Sequence, residues 1–335
     1  MSEAALMTFA KAIDPVRSGE ATPTLQLQCP GCVQSVHSLG FRDTARWICP
    51  KCGFVLSQVG GMFRCLTQDR EQYFWQFIRE YELVRAKEGR GSSSAEYYLR
   101  LPFQDLTGHN RWQWQIRART WRYIEKYLLP GIEQSYPHGM DVLDIGAGNC
   151  WLSYRIALRG HRPVAVDLLE NDADGLGAAR HYLSSLPQPF LRFQAEMDHL
   201  PFASQQFDLA IFNASLHYSV NYEETLAEVL RCLGRPGHVI IADSPFYSRD
   251  ECGQKMVAEK RANFERRFGF RSDSIPSREY LTPEVLDALA EKLRLRWQVL
   301  NPWYGINWAL RPLKARLLRR REPARFYLLW GEVDA

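Results

Sequence analysis

Four cysteines stand as two tight pairs, Cys29-Pro-Gly-Cys32 and Cys49-Pro-Lys-Cys52-Gly53. A Cys-x-x-Cys knuckle aims two thiolates at one point, and two knuckles supply the four sulfurs of a closed tetrahedral metal site. Gly31 and Gly53 permit the positive φ values such turns use. With Cys29, Cys32, Cys49 and Cys52 all engaged, no position stays open for water or substrate, so the reading is a structural zinc ribbon over 25–66. So short a segment buries too little apolar surface to fold alone, and metal binding supplies the difference. Cys65, Cys150, Cys232 and Cys252 have no partner spacing and read as packed thiols.

A second constellation begins at Val142-Leu143-Asp144-Ile145-Gly146-Ala147-Gly148-Asn149-Cys150-Trp151-Leu152. Gly146 and Gly148 let backbone approach a ligand where a strand turns into a helix. Trp151 takes the place a dinucleotide fingerprint reserves for its last glycine and would fill pyrophosphate space, which argues against NAD. Asp167, at the end of the next apolar run, is placed to accept from a ribose diol. Asn213 and His217 fall in Phe212-Asn213-Ala214-Ser215-Leu216-His217-Tyr218, and a neutral imidazole there is the candidate general base.

Elements must hold these residues. Short apolar runs at Val142–Ile145, Pro163–Val166, Phe190–Phe193, Phe207–Phe212 and Gly237–Ala242 read as strands. They alternate with helical stretches at Asn149–Arg159, Ala173–Ser184 and Tyr222–Leu233, which predicts right-handed βαβ units and a parallel sheet covered on both faces. Such sheets bind ligands beyond the carboxyl ends of their strands. Upstream, helices are expected over Gln68–Arg90 and Arg111–Leu129, separated by the linker Gly89–Ser94. A final antiparallel hairpin is expected from Arg294–Leu300 and Phe326–Trp330. The domain order predicted is an N-terminal segment 1–24, ribbon 25–66, helical connector or lid 67–130 and α/β domain 131–335.

Together Val142–Leu152, Ala165–Leu168, Glu196–Phe202 running on to Phe207-Asp208-Leu209, and Pro236–Ile241 resemble the class I S-adenosylmethionine-dependent methyltransferases, type 11-like. The resemblance implies a Rossmann-like sheet with helices on both faces, beside the small N-terminal zinc ribbon. It implies S-adenosylmethionine as cofactor. The backbone at Gly146, Ala147 and Gly148 would approach the methionine moiety, and Asp144 its ammonium. Asp167 would hold the ribose hydroxyls with Leu168 against the adenine. Glu196 would hold the adenine amino group, with Asp198 as the fallback, and the Met197 backbone would meet the ring. Asn213 joins this set at the methyl end. Cys150 stands where many members have a third glycine. The ribbon is also similar to the zinc domain of the small partner subunit of certain tRNA and protein methyltransferases, and to ribbons preceding ribosomal-RNA guanine methyltransferase domains.

Composition bounds the partners. Lys plus Arg is 42 against 38 Asp plus Glu, so the formal charge of +4 does not by itself mark a nucleic-acid binder. No run of about 18 apolar residues crosses a membrane, and the first ten residues lack a secretory pattern, so a reducing cytoplasmic setting without membrane partners is expected. The helix from Arg111 interleaves cations with Trp112, Trp114 and Trp121; packing on the sheet is favoured over RNA stacking. The acceptor expected is a small molecule. An RNA acceptor, using the ribbon and the basic run Arg311–Arg325, is the alternative, and a non-catalytic ribbon that docks a protein partner is the second.

Overall fold

The computed structural model describes residues 25–39 and 46–333, and the predicted segment 1–24 lies outside the described residues. The ribbon contributes β1 (Leu25–Gln28), β2 (Ser35–Leu39), β3 (Trp47–Ile48), β4 (Val55–Val59) and β5 (Met62–Arg64). Next come α1 (Gln68–Lys87), α2 (Ala95–Arg100), α3 (Arg111–Tyr123) and α4 (Leu129–Glu133). The alternating half runs β6 (Asp141–Ile145), α5 (Trp151–Leu158), β7 (Arg162–Asp167), α6 (Arg180–Leu183), β8 (Leu191–Gln194), β9 (Phe207–Asn213), α7 (Tyr222–Cys232) and β10 (Leu233–Ala242). The chain closes with α8 (Asp250–Phe268), α9 (Pro283–Leu293), β11 (Arg296–Leu300), α10 (Ile306–Ala309), α11 (Arg311–Leu317) and β12 (Leu328–Val333).

Ten strands form one sheet in the order β11-β12-β10-β9-β6-β7-β8-β5-β4-β3. From β10 to β5 all neighbours are parallel, while β12 and β4 run antiparallel to theirs. The central strands are continuous apolar runs because both faces are covered: Val142–Ile145 and Leu209–Phe212 are buried at every position. One core, with Phe202, Leu226, Val229 and Leu286, lies on one face; the other, with Trp121, Leu152, Ile156 and Tyr182, lies opposite. The order in which strands are added reverses between β6 and β9, which run parallel, so the switch point falls beside the Gly146–Gly148 loop.

The ribbon extends this sheet. β5 pairs with β8 at Phe63↔Phe193 and Arg64↔Gln194, and Phe63 stacks on Phe193 at 5.0 Å. Arg64 donates to both oxygens of Glu170 at 2.8 and 2.9 Å. β1 docks on the loop before β9 through Gln28 N–H to Pro201 O and Ala203 N–H to Gln26 O, both 3.0 Å.

Two helices differ from expectation. Over 173–184 there is a 3₁₀ turn and the one-turn α6, because the chain is drawn tightly onto 169–172: a Cβ on Gly175 would meet Leu169 O at 2.6 Å and one on Gly177 would meet Glu170 O at 2.7 Å. The Asn171 side chain accepts from Ala173 N–H and Asp174 N–H and holds the turn. α3 passes into a wide turn at Ile124–Leu128 and continues as α4, whose first turn tolerates Pro130.

Candidate functional site

The loop after β6 is set by contacts only glycine allows. Gly146 has φ +71°, and a Cβ there would lie 2.2 Å from Ser215 Cβ. Ser215 Oγ donates to Ile145 O at 2.5 Å, locking the end of β6 to the loop after β9. Gly148, at φ +52°, donates its N–H to Asp167 Oδ2 at 2.7 Å, while Leu169 N–H donates to Asp167 Oδ1 at 2.9 Å. Asp167 therefore ties the first turn to the end of β7, and each oxygen keeps a lone pair for a further donor. Cys150 takes the left-handed φ +63° just before α5, the conformation a glycine would hold without cost from its Cβ.

These turns open a cavity across the carboxyl ends of β6 to β9, with an empty volume of about 1160 Å³, mouth included. Asp144, Gly146, Ala147, Gly148, Asp167, Leu168, Glu196, Met197 and Asn213 all line it. Asp144 is buried and accepts from Ser153 Oγ at 2.6 Å; burial pushes its pKa up to about 7. Burial also raises Asp167 and Asp243 above the ordinary carboxylate range. Asn213 Nδ2 donates to Asp243 Oδ2 at 3.1 Å, and Asp243 Oδ1 accepts from Thr120 Oγ1 at 2.6 Å, which fixes the amide at the end of β9. Glu196 is engaged: Arg70 of α1 reaches both its oxygens at 2.5 to 3.0 Å, and Oε1, which accepts once, keeps a lone pair for a further donor. Asp198 is also on the wall.

His217 is not brought to the cavity. The turn Leu216–Tyr218 puts Tyr218 on the wall and sets the His217 ring behind it, 4.3 Å from the Tyr218 centroid, with Nδ1 3.3 Å from Ser244 Oγ. Burial, with Lys260 and Arg117 nearby, lowers its pKa to about 3, so the imidazole is neutral, and His217 is not among the residues lining the cavity.

The sequence reading expects a helical connector or lid over 67–130 and names no contacts for it. α1 turns Phe74, Phe77, Tyr81 and Arg85 onto the cavity, and α3 adds Trp114 and Arg117. Tyr81 and Phe77 meet Tyr218 edge-on at 5.7 and 6.3 Å. Arg85 forms a buried ion pair with Asp174 and lies 5.3 Å from the Tyr81 ring. Trp114 and Trp121 are buried, as the packing reading of α3 expects, whereas Trp112 is exposed. The i, i+3, i+4 spacing along Arg70, Phe74, Phe77 and Tyr81 was the signal that one face of α1 acts as a unit.

Residues 143–241 match a family model described as a methyltransferase domain. The chain carries a methyltransferase domain. The Rossmann-like class I fold expected from the motifs is the fold observed. The methyltransferase domain is similar to the malonyl-(acyl-carrier protein) O-methyltransferase of Buchnera aphidicola, 27% identical over 123 residues, covering 36% of this chain and 44% of that one. It is likewise similar to the uncharacterized methyltransferase YodH of Bacillus subtilis, 26% identical over 135 residues, covering 36% of this chain and 56% of that one. The match thus spans about half of each relative's length. Among solved structures, the YcgJ protein of Bacillus subtilis superposes with a TM-score of 0.45 at 17% identity, covering 62% of this chain and 97% of that one.

Beside the methyltransferase domain, the cysteine knuckles converge. Sγ atoms of Cys29, Cys32, Cys49 and Cys52 all lie within 4.8 Å of one another, with Cys29–Cys52 and Cys32–Cys49 at 3.5 Å. A tetrahedral zinc with 2.3 Å bonds wants sulfurs about 3.8 Å apart, so the set fits the ion. A Cβ on Gly31 would press on Cys52 Sγ at 3.2 Å, and Gly53 sits at φ +75°. No described helix is long and apolar enough to cross a membrane.

Proposed function

We propose that the chain is an S-adenosylmethionine-dependent methyltransferase with a small-molecule acceptor. The observation that carries this is the joining, in one cavity, of a glycine turn, an acid at the end of β7, an acid after β8 and the amide at the end of β9. When bound, the cofactor supplies an electrophilic methyl on a sulfonium. The chain's own residues hold and orient: Asp167 accepts from the ribose diol, Glu196 from the adenine amino group, and Asp144 faces the ammonium, where a cation favours its ionised form. Leu168 and the Met197 backbone meet the adenine. Displacement at a methyl with a good leaving group needs alignment above all, and the wall of Trp114, Tyr218, Phe77 and Tyr81 excludes water from it. No general base is assigned, since His217 does not line the cavity.

The roof formed by α1 and α3 favours a compact acceptor over a polymer. Cys29, Cys32, Cys49 and Cys52 hold a structural zinc in the ribbon (25–66), the connector (67–130) covers the cavity, and 131–335 is the catalytic unit. A reducing cytoplasm keeps such thiolates available. Radiolabelled S-adenosylmethionine incubated with cell extract split into small-molecule, RNA and protein fractions tests the reading. Label is expected in the first; label in RNA transfers the acceptor to the alternative, and label in protein to a protein substrate. Failure to bind S-adenosylhomocysteine in calorimetry overturns the whole.

A further inference from the structure

The arginines around the cavity differ in one respect. Arg70 is spent on Glu196, Arg85 on Asp174, and Arg90 on Glu88 and Gln113. Arg117 also lines the cavity, yet among the described residues it makes no ion pair and no hydrogen bond. Its Nη1 is buried without a partner. Its guanidinium carbon lies 4.9 Å from the centroid of the Trp114 ring. Stacked so, a guanidinium keeps its in-plane fork free, and that fork matches a planar anion through two parallel hydrogen bonds. A buried N–H with nothing to donate to is rare and signals an absent partner.

We propose that Arg117 is the receptor for a carboxylate bound inside the cavity. This rests on the methyl-transfer reading of that cavity and adds the charge class of what enters. A monoanion is indicated over a phosphate because Asp144, Asp167 and Asp198, none paired with an arginine, share the wall and disfavour a dianion. The nearby Asp243 makes no hydrogen bond or ion pair with Arg117 among the described residues; its two oxygens accept from Thr120 and Asn213 instead. The carboxylate comes either from the methionine part of the cofactor or from the acceptor.

Calorimetry with S-adenosylhomocysteine and with 5′-methylthioadenosine, which lacks the amino-acid part, separates the two sources, using parent, Arg117→Met and Arg117→Lys. If the cofactor supplies the carboxylate, Arg117→Met loses at least tenfold in S-adenosylhomocysteine affinity and none for methylthioadenosine. If the acceptor supplies it, both affinities hold, while the parent binds benzoate over benzamide by at least tenfold, read by tryptophan fluorescence with and without S-adenosylhomocysteine, and Arg117→Met does not. Arg117→Lys retains part of either effect. Should Arg117→Met fail to fold, Arg117→Lys and the benzoate–benzamide contrast in the parent decide. Equal affinities in every arm overturn the proposal. A parent that binds no S-adenosylhomocysteine defeats the methyltransferase reading, while benzoate on the free protein still reports on Arg117.

Discussion

Asp167→Asn tests the cavity at its hinge. The two Asp167 oxygens accept from Leu169 N–H at 2.9 Å and Gly148 N–H at 2.7 Å. Asparagine keeps the shape but has one oxygen, so its amide nitrogen must face one of these donors head-on. The variant loses one charge-assisted hydrogen bond and leaves one N–H unanswered. It also offers a ribose diol a single acceptor atom where the carboxylate offers two. A hydrogen bond to a charged group contributes about 1.5–3 kcal/mol, which converts to roughly a ten- to 150-fold weaker dissociation constant for S-adenosylhomocysteine. Titration calorimetry reads this directly. Because burial raises the Asp167 pKa, the ionised acceptor is lost as pH falls through that raised value, so parent affinity drops on acidification. The variant has no such group and is expected to lose that part of the pH dependence. An affinity within twofold of the parent, or an unchanged pH slope, would remove Asp167 from the ligand and refute the hinge.

Gly146→Ala forces a Cβ to 2.2 Å from Ser215 at φ +71°, and is expected to cost about 3 kcal/mol or more and abolish nucleoside binding; an unshifted melting curve contradicts it. Asp144, pushed up to about 7 from 3.8, retains in the folded chain a proton that the unfolded chain releases, so its stabilising share is complete below pH 4 and lost as pH rises through 7. Asp144→Asn therefore flattens the fall in denaturant stability across that window, and equal slopes for parent and variant would count against the burial cause. Cys49→Ser is expected to release zinc, measured by elemental analysis, and to raise hydrogen exchange in β4 and β5 while β6 and β9 stay protected; a parent without zinc defeats it.

What the sequence disclosed follows from range. Val142–Ile145 and Phe207–Phe212 are legible because a doubly covered strand is a plain apolar run, and the knuckles are legible because a four-residue spacing fixes both sulfurs. The turn at 173–184 was hidden because its helical pattern is overruled by backbone packing at Gly175 and Gly177, which depends on residues 169–172 already being in place. Pairing of Arg70 with Glu196 spans 126 residues of chain, and spacing along α1 says only which side chains share a face, not what that face meets. His217 shows the same limit: spacing does not separate two neighbouring rings, and a 3₁₀ turn decides which of them lines the cavity, which Tyr218 does. Nor can Phe63 and Arg64, in a three-residue strand, declare a register with residues 193 and 194.

That last pairing bears on how the molecule is made. β5 pairs with β4 on one edge, but its other neighbour β8 ends at Gln194, so that second edge waits through 130 further residues of synthesis. During that interval its open edge invites mispairing between nascent chains. On the zinc reading proposed above, capture of the ion by the four thiols folds the knuckles locally, while that edge is still waiting for β8.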